Sequence, residues 1–586
     1  MKMKRKNIIL ITLFTALLIP LACKKGFLNT TDTVAATAGA SFAKSADVVG
    51  LVNAIYNTYQ SSDMLKKSIW YYANYETHDF FNNGSDIVWN FYGVGPTFYA
   101  LPTFWNNAYI GIAKANSAFG IIQNAMTTGV VTQALGNRLL GEAYFLRGMT
   151  YYYLAGSFGG VPLELKPITN GLTPRSTQNQ VFTQVVADMQ MAEKLLVSKT
   201  QLASGDIGRA TTGAAYAYEG SAQMWLGNYA AALTAFNNTE LTTNYSLLPN
   251  YEQVGEYNQQ NSNEIIFAIQ FLIDGNQGWA DGWQDGQQEG WIDDFDWPQE
   301  ISGFGYDYAN PGLWYSYQAG DTRKLATVVG PGDPNISPGI IAQWGGIKGY
   351  AVVLANYQNT SPISTGNPVT YQDLYSDGSG NPINTVGSNK YPWYGLDGTP
   401  RSGYYNVKKW RDPTLTGANG TGAIFGAQNQ TLMRYGEVLL SRAECKIKTG
   451  DVAGGMADIQ TVRNRAWGGT APAVVQDGLT WDGKATTPIT DPLQIVYSEY
   501  RHELTAEYSL MYLLRRAGPG VDAAFINAAY GCVAGNQNQI VYPYGPTADG
   551  TTHGVWNTAL PANKDILPIP TAAIALNPNL VQNPSY

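Results

Sequence analysis

Seven stretches of this chain repeat apolar residues at the spacing of a helix, and the long stretches between them repeat nothing. Val48, Leu51, Val52, Ile55 and Tyr59 share one helical face over 47–59, and 105–122 keeps the same period. The segments 134–155, 178–196, 210–238, 431–466 and 492–516 continue it. A chain patterned this way folds as helix packed on helix, so the expected class is mostly α. Its 586 residues exceed the roughly 250–300 at which a single core stops growing. An extended array of helix pairs, or several subdomains, follows. The stretches 60–104, 271–425 and 545–563 are rich in Gly, Asn, Asp, Pro and aromatics. They are expected to be long irregular insertions, which in a compact protein usually carry function.

Two helix pairs share a template. Trp225-Leu226-Gly227-Asn228-Tyr229-Ala230-Ala231-Ala232-Leu233, followed by Phe236, fits the tetratricopeptide pattern, in which a Leu-Gly turn and small residues let two helices approach closely. A looser copy runs through Ala443, Lys448, Gly450, Asp451, Ala453 and Ala457. Tetratricopeptide-like repeats stack into a shallow superhelix. Such a stack either binds a peptide in its groove or carries inserted loops. The scaffold role is favoured, because long irregular loop insertions interrupt the array.

The first residues have a separate purpose. Lys2, Lys4, Arg5 and Lys6 precede an apolar run from Ile8 to Leu21, and Ala22-Cys23 closes it. That order predicts an export signal over 1–22 with lipidation at Cys23; the run is shorter than the roughly 20 apolar residues of a membrane span. Residues 23–45, small and polar, then form a flexible lipidated tether. The remaining cysteines, Cys445 and Cys532, are too few for a disulfide framework, and Cys445 lies in an apolar helical pattern as a buried thiol. Net charge is −8 with no basic run, which excludes nucleic acid as a partner. His78, His502 and His553 lack metal-ligand spacing, so neither metal nor cofactor is expected.

Charged residues are 14% of the chain and aromatics 12%, so this protein meets its surroundings through phenols, indoles and amides. Between 275 and 320, Trp279, Trp283, Trp291, Trp297, Tyr306, Tyr308, Trp314 and Tyr315 alternate with Asp281, Asp285, Glu289, Asp293, Asp294 and Asp296. Flat rings contact the C–H faces of a neutral sugar at low entropic cost, while amides and carboxylates bind its hydroxyls. Trp283, Trp291, Trp297 and Tyr306 are the expected platform. Residues 72–93 offer a second wall, with Asp79 and Trp89 as ligand contacts beside His78, Asn82, Asn83 and Asp86. A glycoside hydrolase with paired carboxylates is the competing enzyme reading. The carboxylates here lie in solvated runs such as Asp293-Asp294-x-Asp296, and no Gly-x-Ser-x-Gly, phosphate loop or His-Glu-x-x-His occurs. Binding without catalysis is therefore expected.

Several blocks resemble one family. GEAYFLRGMTYYYLAGSFGGVPL (141–163), LTPRSTQNQVFTQVVADMQMAEKLL (172–196), GRATTGAAYAYEGSAQMWLGNYAAAL (208–233), MRYGEVLLSRAECK (433–446) and ILPIPTAAIALNPNLVQNPSY (566–586) are similar, in order, to the SusD/RagB-like outer-membrane lipoproteins. Glu507-Tyr508-Ser509-Leu510 replaces the Glu-Gly-His-Arg typical there, Lys24 and Lys25 follow Cys23 where many relatives carry an acidic residue, and Pro20 stands where lipoprotein signals usually have Leu. The resemblance implies a SusD-like fold. It further implies a lipid-anchored, surface-exposed outer-membrane protein that captures an oligosaccharide or polysaccharide and passes it to a SusC-like TonB-dependent transporter. The chain would divide into helical repeats over 46–270, the loop-rich candidate ligand region over 271–425, and a helical region over 426–586. Arg147, Arg434, Glu142 and Glu437, inside Ala- and Leu-rich helices, are expected to pair internally rather than meet ligand.

Overall fold

A computed structural model describes residues 42–82, 85–167, 170–272, 291–292, 307–329, 405–406, 425–480, 485–532, 559–561 and 564–586. Among the described residues, eleven α-helices of seven or more residues build the frame: α1 (Ser45–Tyr56), α2 (Ala100–Thr127), α3 (Gln133–Phe158), α4 (Gln178–Leu195), α5 (Thr212–Trp225), α6 (Tyr229–Phe236), α7 (Tyr435–Lys448), α8 (Val452–Ala466), α9 (Pro492–Leu504), α10 (Leu510–Arg516) and α11 (Val521–Tyr530). Their starts follow local chemistry. Thr132, Thr211 and Asp451 accept hydrogen bonds from the first free amides of α3, α5 and α8. Thr177 and Gln180 form a capping box on α4, and Pro492 opens α9 behind Asp491.

Each of α2 to α6 packs on the next, and α7 packs on α8. Glycine makes two of these contacts possible. A Cβ on Gly148 of α3 would lie 2.8 Å from Met189 Cε, and one on Gly455 of α8 would lie 2.8 Å from the Ala443 carbonyl of α7. The tetratricopeptide-like reading of 225–236 and 440–459 matches two closely packed helix pairs, α5 with α6, where a Cβ on Gly220 would lie 2.5 Å from Phe236 Cε1, and α7 with α8. Cys445 is buried in α7, where desolvation and the neighbouring Glu444 push its thiol up to about 12. Residues 564–586 dock on the end of α3, with Leu567 N bonded to Ser157 O at 2.7 Å and Asn583 Nδ2 to Phe158 O at 2.9 Å.

The expectation of an irregular loop over 60–104 is corrected. Ser62–Met64, the π-helical turn Leu65–Trp70 and Tyr71–Asn74 run as one helical passage, and every residue in it is buried. A helix covered on all sides has no polar face, and a π turn shifts the register. The 3.6-residue period is therefore absent from its sequence.

Eight short strands complete the described fold: β1 (Phe80–Asn82), β2 (Ile265–Ile269), β3 (Trp291–Ile292), β4 (Asp307–Ala309), β5 (Val328–Val329), β6 (Tyr405–Asn406), β7 (Phe425–Gly426) and β8 (Gln430–Arg434). Three antiparallel pairings nest inside one another: Ile269 opposes Gln430, Ile292 opposes Phe425, and Val329 opposes Tyr405. The insertion leaves and returns on stacked stems. A four-stranded sheet in the order β1-β4-β6-β5 then joins the innermost stem to the early part of the chain.

Candidate ligand-binding site

The sheet brings together the two stretches that the sequence offered as separate walls. Phe81 pairs with Tyr308, Asn82 with Asp307, and Tyr308 with Tyr405. One carboxylate anchors the joint. Asp307, fully buried, receives Lys66 Nζ at 2.6 Å, Asn82 Nδ2 at 3.3 Å and the Tyr75 hydroxyl. Lys66 also lies 3.7 Å from the Trp70 ring centre, a cation–π contact inside the core. Burial, and then the Asp307 charge, raise the Tyr75 phenol far above its ordinary pKa, so it stays a proton donor. Asn310 completes the link, its amide nitrogen bonded to His78 O and its backbone N–H to Asp79 O, both at 2.8 Å.

Asp79 and Trp89 occupy the core rather than a binding surface, and their expected role as ligand contacts is corrected. Both have 0% relative exposure. The Asp79 carboxylate is consumed by Arg501 Nε at 2.7 Å, Tyr530 Oη at 2.5 Å and Thr505 Oγ1 at 3.1 Å. Trp89 meets Tyr72 and Phe98 edge-on, at ring separations of 6.3 and 5.5 Å. Asp86 likewise binds the Tyr99 hydroxyl at 3.0 Å, and Trp314 and Tyr315 are buried. Trp291 begins β3, opposite Gly426. Trp283, Trp297 and Tyr306 lie outside the described residues; Tyr306 directly precedes Asp307 in the chain.

A second buried charge cluster holds the insertion's bases to the C-terminal helices. Arg323, in the helical turn that leads into β5, contacts Asp321 at 2.7 Å, Glu499 at 2.8 Å and Glu503 at 3.2 Å. Arg434, ending β8, contacts Glu264 at 2.8 Å, Glu503 at 2.6 Å and Glu507 at 2.8 Å. Arg465 bonds Glu264 at 3.0 Å and also reaches Glu503, while Arg463 meets Glu499 at 2.5 Å. Burial opposes ionisation of Glu503, yet Arg465, Arg434 and Arg323 outweigh it and hold its pKa well below the usual carboxylate range. Elsewhere Arg147 pairs with Asp188 at 2.6 Å and Glu142 with Arg209 at 2.9 Å. These charges pair internally, as the helix patterns implied. No group of His, Cys, Asp and Glu suited to a metal ion occurs among the described residues.

A helical-repeat scaffold carrying an aromatic-rich insertion on nested stems is the class defined by this arrangement. A family profile described as "SusD family" matches residues 256–586, and one described as "Starch-binding associating with outer membrane" matches 28–221. The chain belongs to the SusD family. It is 24% identical to SusD-like protein P2 of Formosa agariphila over 510 residues, covering 82% of this chain and 80% of that one. Among solved structures, a SusD homolog from Bacteroides thetaiotaomicron superposes with TM-score 0.65 at 18% identity, covering 93% of this chain and 98% of the other. Surface glycan-binding protein A of the same species, in complex with laminarihexaose, gives TM-score 0.63 at 20% identity, covering 92% and 99%. The mostly helical, SusD-like fold expected from sequence is thereby established.

Proposed function

We propose that this protein is a lipid-anchored glycan-capture protein of the outer membrane, which binds an oligosaccharide or polysaccharide at its insertion without cleaving it and hands it to a TonB-dependent transporter. One observation carries the reading. The buried Lys66–Asp307 joint ties the early chain at β1 to the insertion's strand β4, which directly follows the aromatic-rich stretch of the sequence, in one ordered frame. Pre-ordered platforms lose less entropy on binding. The laminarihexaose complex of a protein with the same fold adds support for a glucan-like ligand, and the Ala22-Cys23 junction supports the anchor. No helix among the described residues is long and apolar enough to cross a membrane, which suits an anchored body.

Retention of the mature chain on immobilised polysaccharides, with assay of released reducing ends, tests the proposal. Retention without release is expected, and Trp283→Ala or Trp291→Ala weakens it with helicity unchanged. Released reducing ends would favour the hydrolase reading instead, and affinity unchanged in both variants would remove the capture site from this insertion.

A further inference from the structure

A cavity of about 500 Å³ lies between the repeat helices and the end of β2. Its volume is in the range of small-molecule sites. The last turn of α1 and the 3-10 turn after it form one wall, the strap 205–209 a second, and the residues ending β2 a third. The wall chemistry is neutral. Arg209, the single charged residue of the lining, is already bonded to Glu142 and Asp206 at 2.9 Å each.

Its amides are fixed before any ligand arrives. Asn57 Nδ2 donates to Gln60 Oε1 at 2.7 Å, Gln60 Nε2 donates to Gln270 O at 3.0 Å, and Asn53 Oδ1 accepts from Arg209 Nη2 at 2.9 Å. Asn429 and Asn261 in turn hold the Gln270 amide, at 2.7 and 3.1 Å. Those bonds leave the Asn53 nitrogen as donor and the Asn57 oxygen as acceptor, four residues apart and thus one helical turn apart on the same side. A donor and an acceptor at that separation match two neighbouring hydroxyls, each of which both gives and takes a hydrogen bond. Beside them Ile207 and Leu272, each 54% exposed, present aliphatic surface from two different walls. Aliphatic contact and directed amides together suit the C–H faces and hydroxyls of a pyranose.

We infer that this cavity is a second neutral-saccharide subsite, with Asn53 and Asn57 binding a hydroxyl pair and Ile207 and Leu272 covering the ring. The inference rests on the reading of the protein as a glycan binder. An extended peptide fits less well. Along β2 the carbonyls of Ile265, Ala268 and Gln270 are already taken by the side chains of Lys199, Gln270 and Gln60, so a peptide backbone finds few partners there.

Saturation-transfer NMR on the mature chain with laminarihexaose, maltohexaose, xylohexaose and an uncharged hexapeptide separates the two readings. The variants are the double variant Asn53→Ala/Asn57→Ala, the surface variant Ile207→Ser and, in the insertion, Trp283→Ala/Trp291→Ala. Loss of two net hydrogen bonds weakens a bound saccharide about tenfold. The inference expects that loss in the double variant, a smaller one in Ile207→Ser, and residual saccharide transfer in the Trp variant. Complete loss in the Trp variant, with the cavity variants unchanged, overturns this subsite and leaves the insertion reading intact. Full transfer in the Trp variant with loss in the cavity variants upholds the subsite and removes the insertion reading. Transfer to the hexapeptide alone, or to no saccharide at all, overturns the inference. Ile207→Ser changes only an exposed side chain, so its result stands even if the double variant folds poorly.

Discussion

Two sectors of this molecule pack by opposite means. Between α2 and α6, helices that follow one another in the chain meet mainly through Gly, Ala and aromatic rings, as where Gly148 leaves room for Met189 and Phe182 stacks on Trp225 at 4.8 Å, with the buried Arg147–Asp188 pair as an exception between α3 and α4. Where Glu264, Arg323, Arg434 and α9 converge, segments far apart in the chain meet through fully buried ions. Neighbouring helices joined by short turns have few alternative partners, so shape suffices. Segments separated by a long insertion have many, and a charge accepts only its counter-charge in the right register. Replacing a buried pair by apolar side chains is often neutral for stability, whereas removing one partner is not. The ionic sector thus specifies which distant segments join, while the apolar sector supplies the burial that drives folding.

The sharpest break in that contrast is Glu503→Ala, which strips Arg434, Arg465 and Arg323 of a shared carboxylate. A loss of about 3–5 kcal/mol in denaturant unfolding is expected; a loss under about 1 kcal/mol would show that the cluster is dispensable. Next comes Glu437, a buried glutamate of α7 with the opposite shift. Burial lifts its pKa to about 7, offset in part by Arg516 and Ser509. Its folded pKa stands above the unfolded value of about 4.3, so the stability it contributes is complete below that pH and is lost as pH rises through 7. Relative to Glu437→Gln, whose amide does not titrate, the wild type should lose about 3 kcal/mol between pH 4.5 and 7. Parallel pH profiles would place its carboxyl in a more polar setting.

Asp307→Asn moves the question to the sheet. It leaves Lys66 without its counter-charge while keeping an acceptor for Tyr75, costing about 2–3 kcal/mol. Glycan retention should fall while far-UV circular dichroism stays helical; retention equal to wild type would uncouple the frame from binding. The smallest effect on stability belongs to Trp283→Ala, under about 0.5 kcal/mol if the ring serves ligand rather than core. A melting-temperature drop comparable to that of Asp307→Asn would make it a core residue instead.

Helices such as α1 and α4 were legible because each has one apolar face, and the caps at Thr132, Thr177 and Thr211 are local signals. The passage 62–74 was not, since a helix buried on every side carries no periodic stripe. Asp79 and Trp89 misled for a related reason. An acid among aromatics reads as a ligand contact until Arg501, remote in sequence, is found against it. Asn53, Asn57 and Gln60 gave no signal at all, because polar residues at the end of an amphipathic helix look like any solvated face. Only the strap at 205–209 and the turn at 270–272, packed against them, reveal a cavity.

The nested stems have a consequence for how such a chain can change. Val329 and Tyr405 are cross-strand partners, so the stretch between them starts and finishes at one point on the sheet. Lengthening a chain segment whose ends are already pinned adds little, about 0.6 kcal/mol for each doubling. The length of the 330–404 segment should therefore weigh little on the ions and helices of the described body. The outer pairings at 292/425 and 269/430 enclose that segment in sequence. In engineering terms the Val329–Tyr405 pairing is a splice point, and chimeras cut there would exchange the segment between while keeping Trp283, Trp291, Trp297 and Tyr306 of the proposed site.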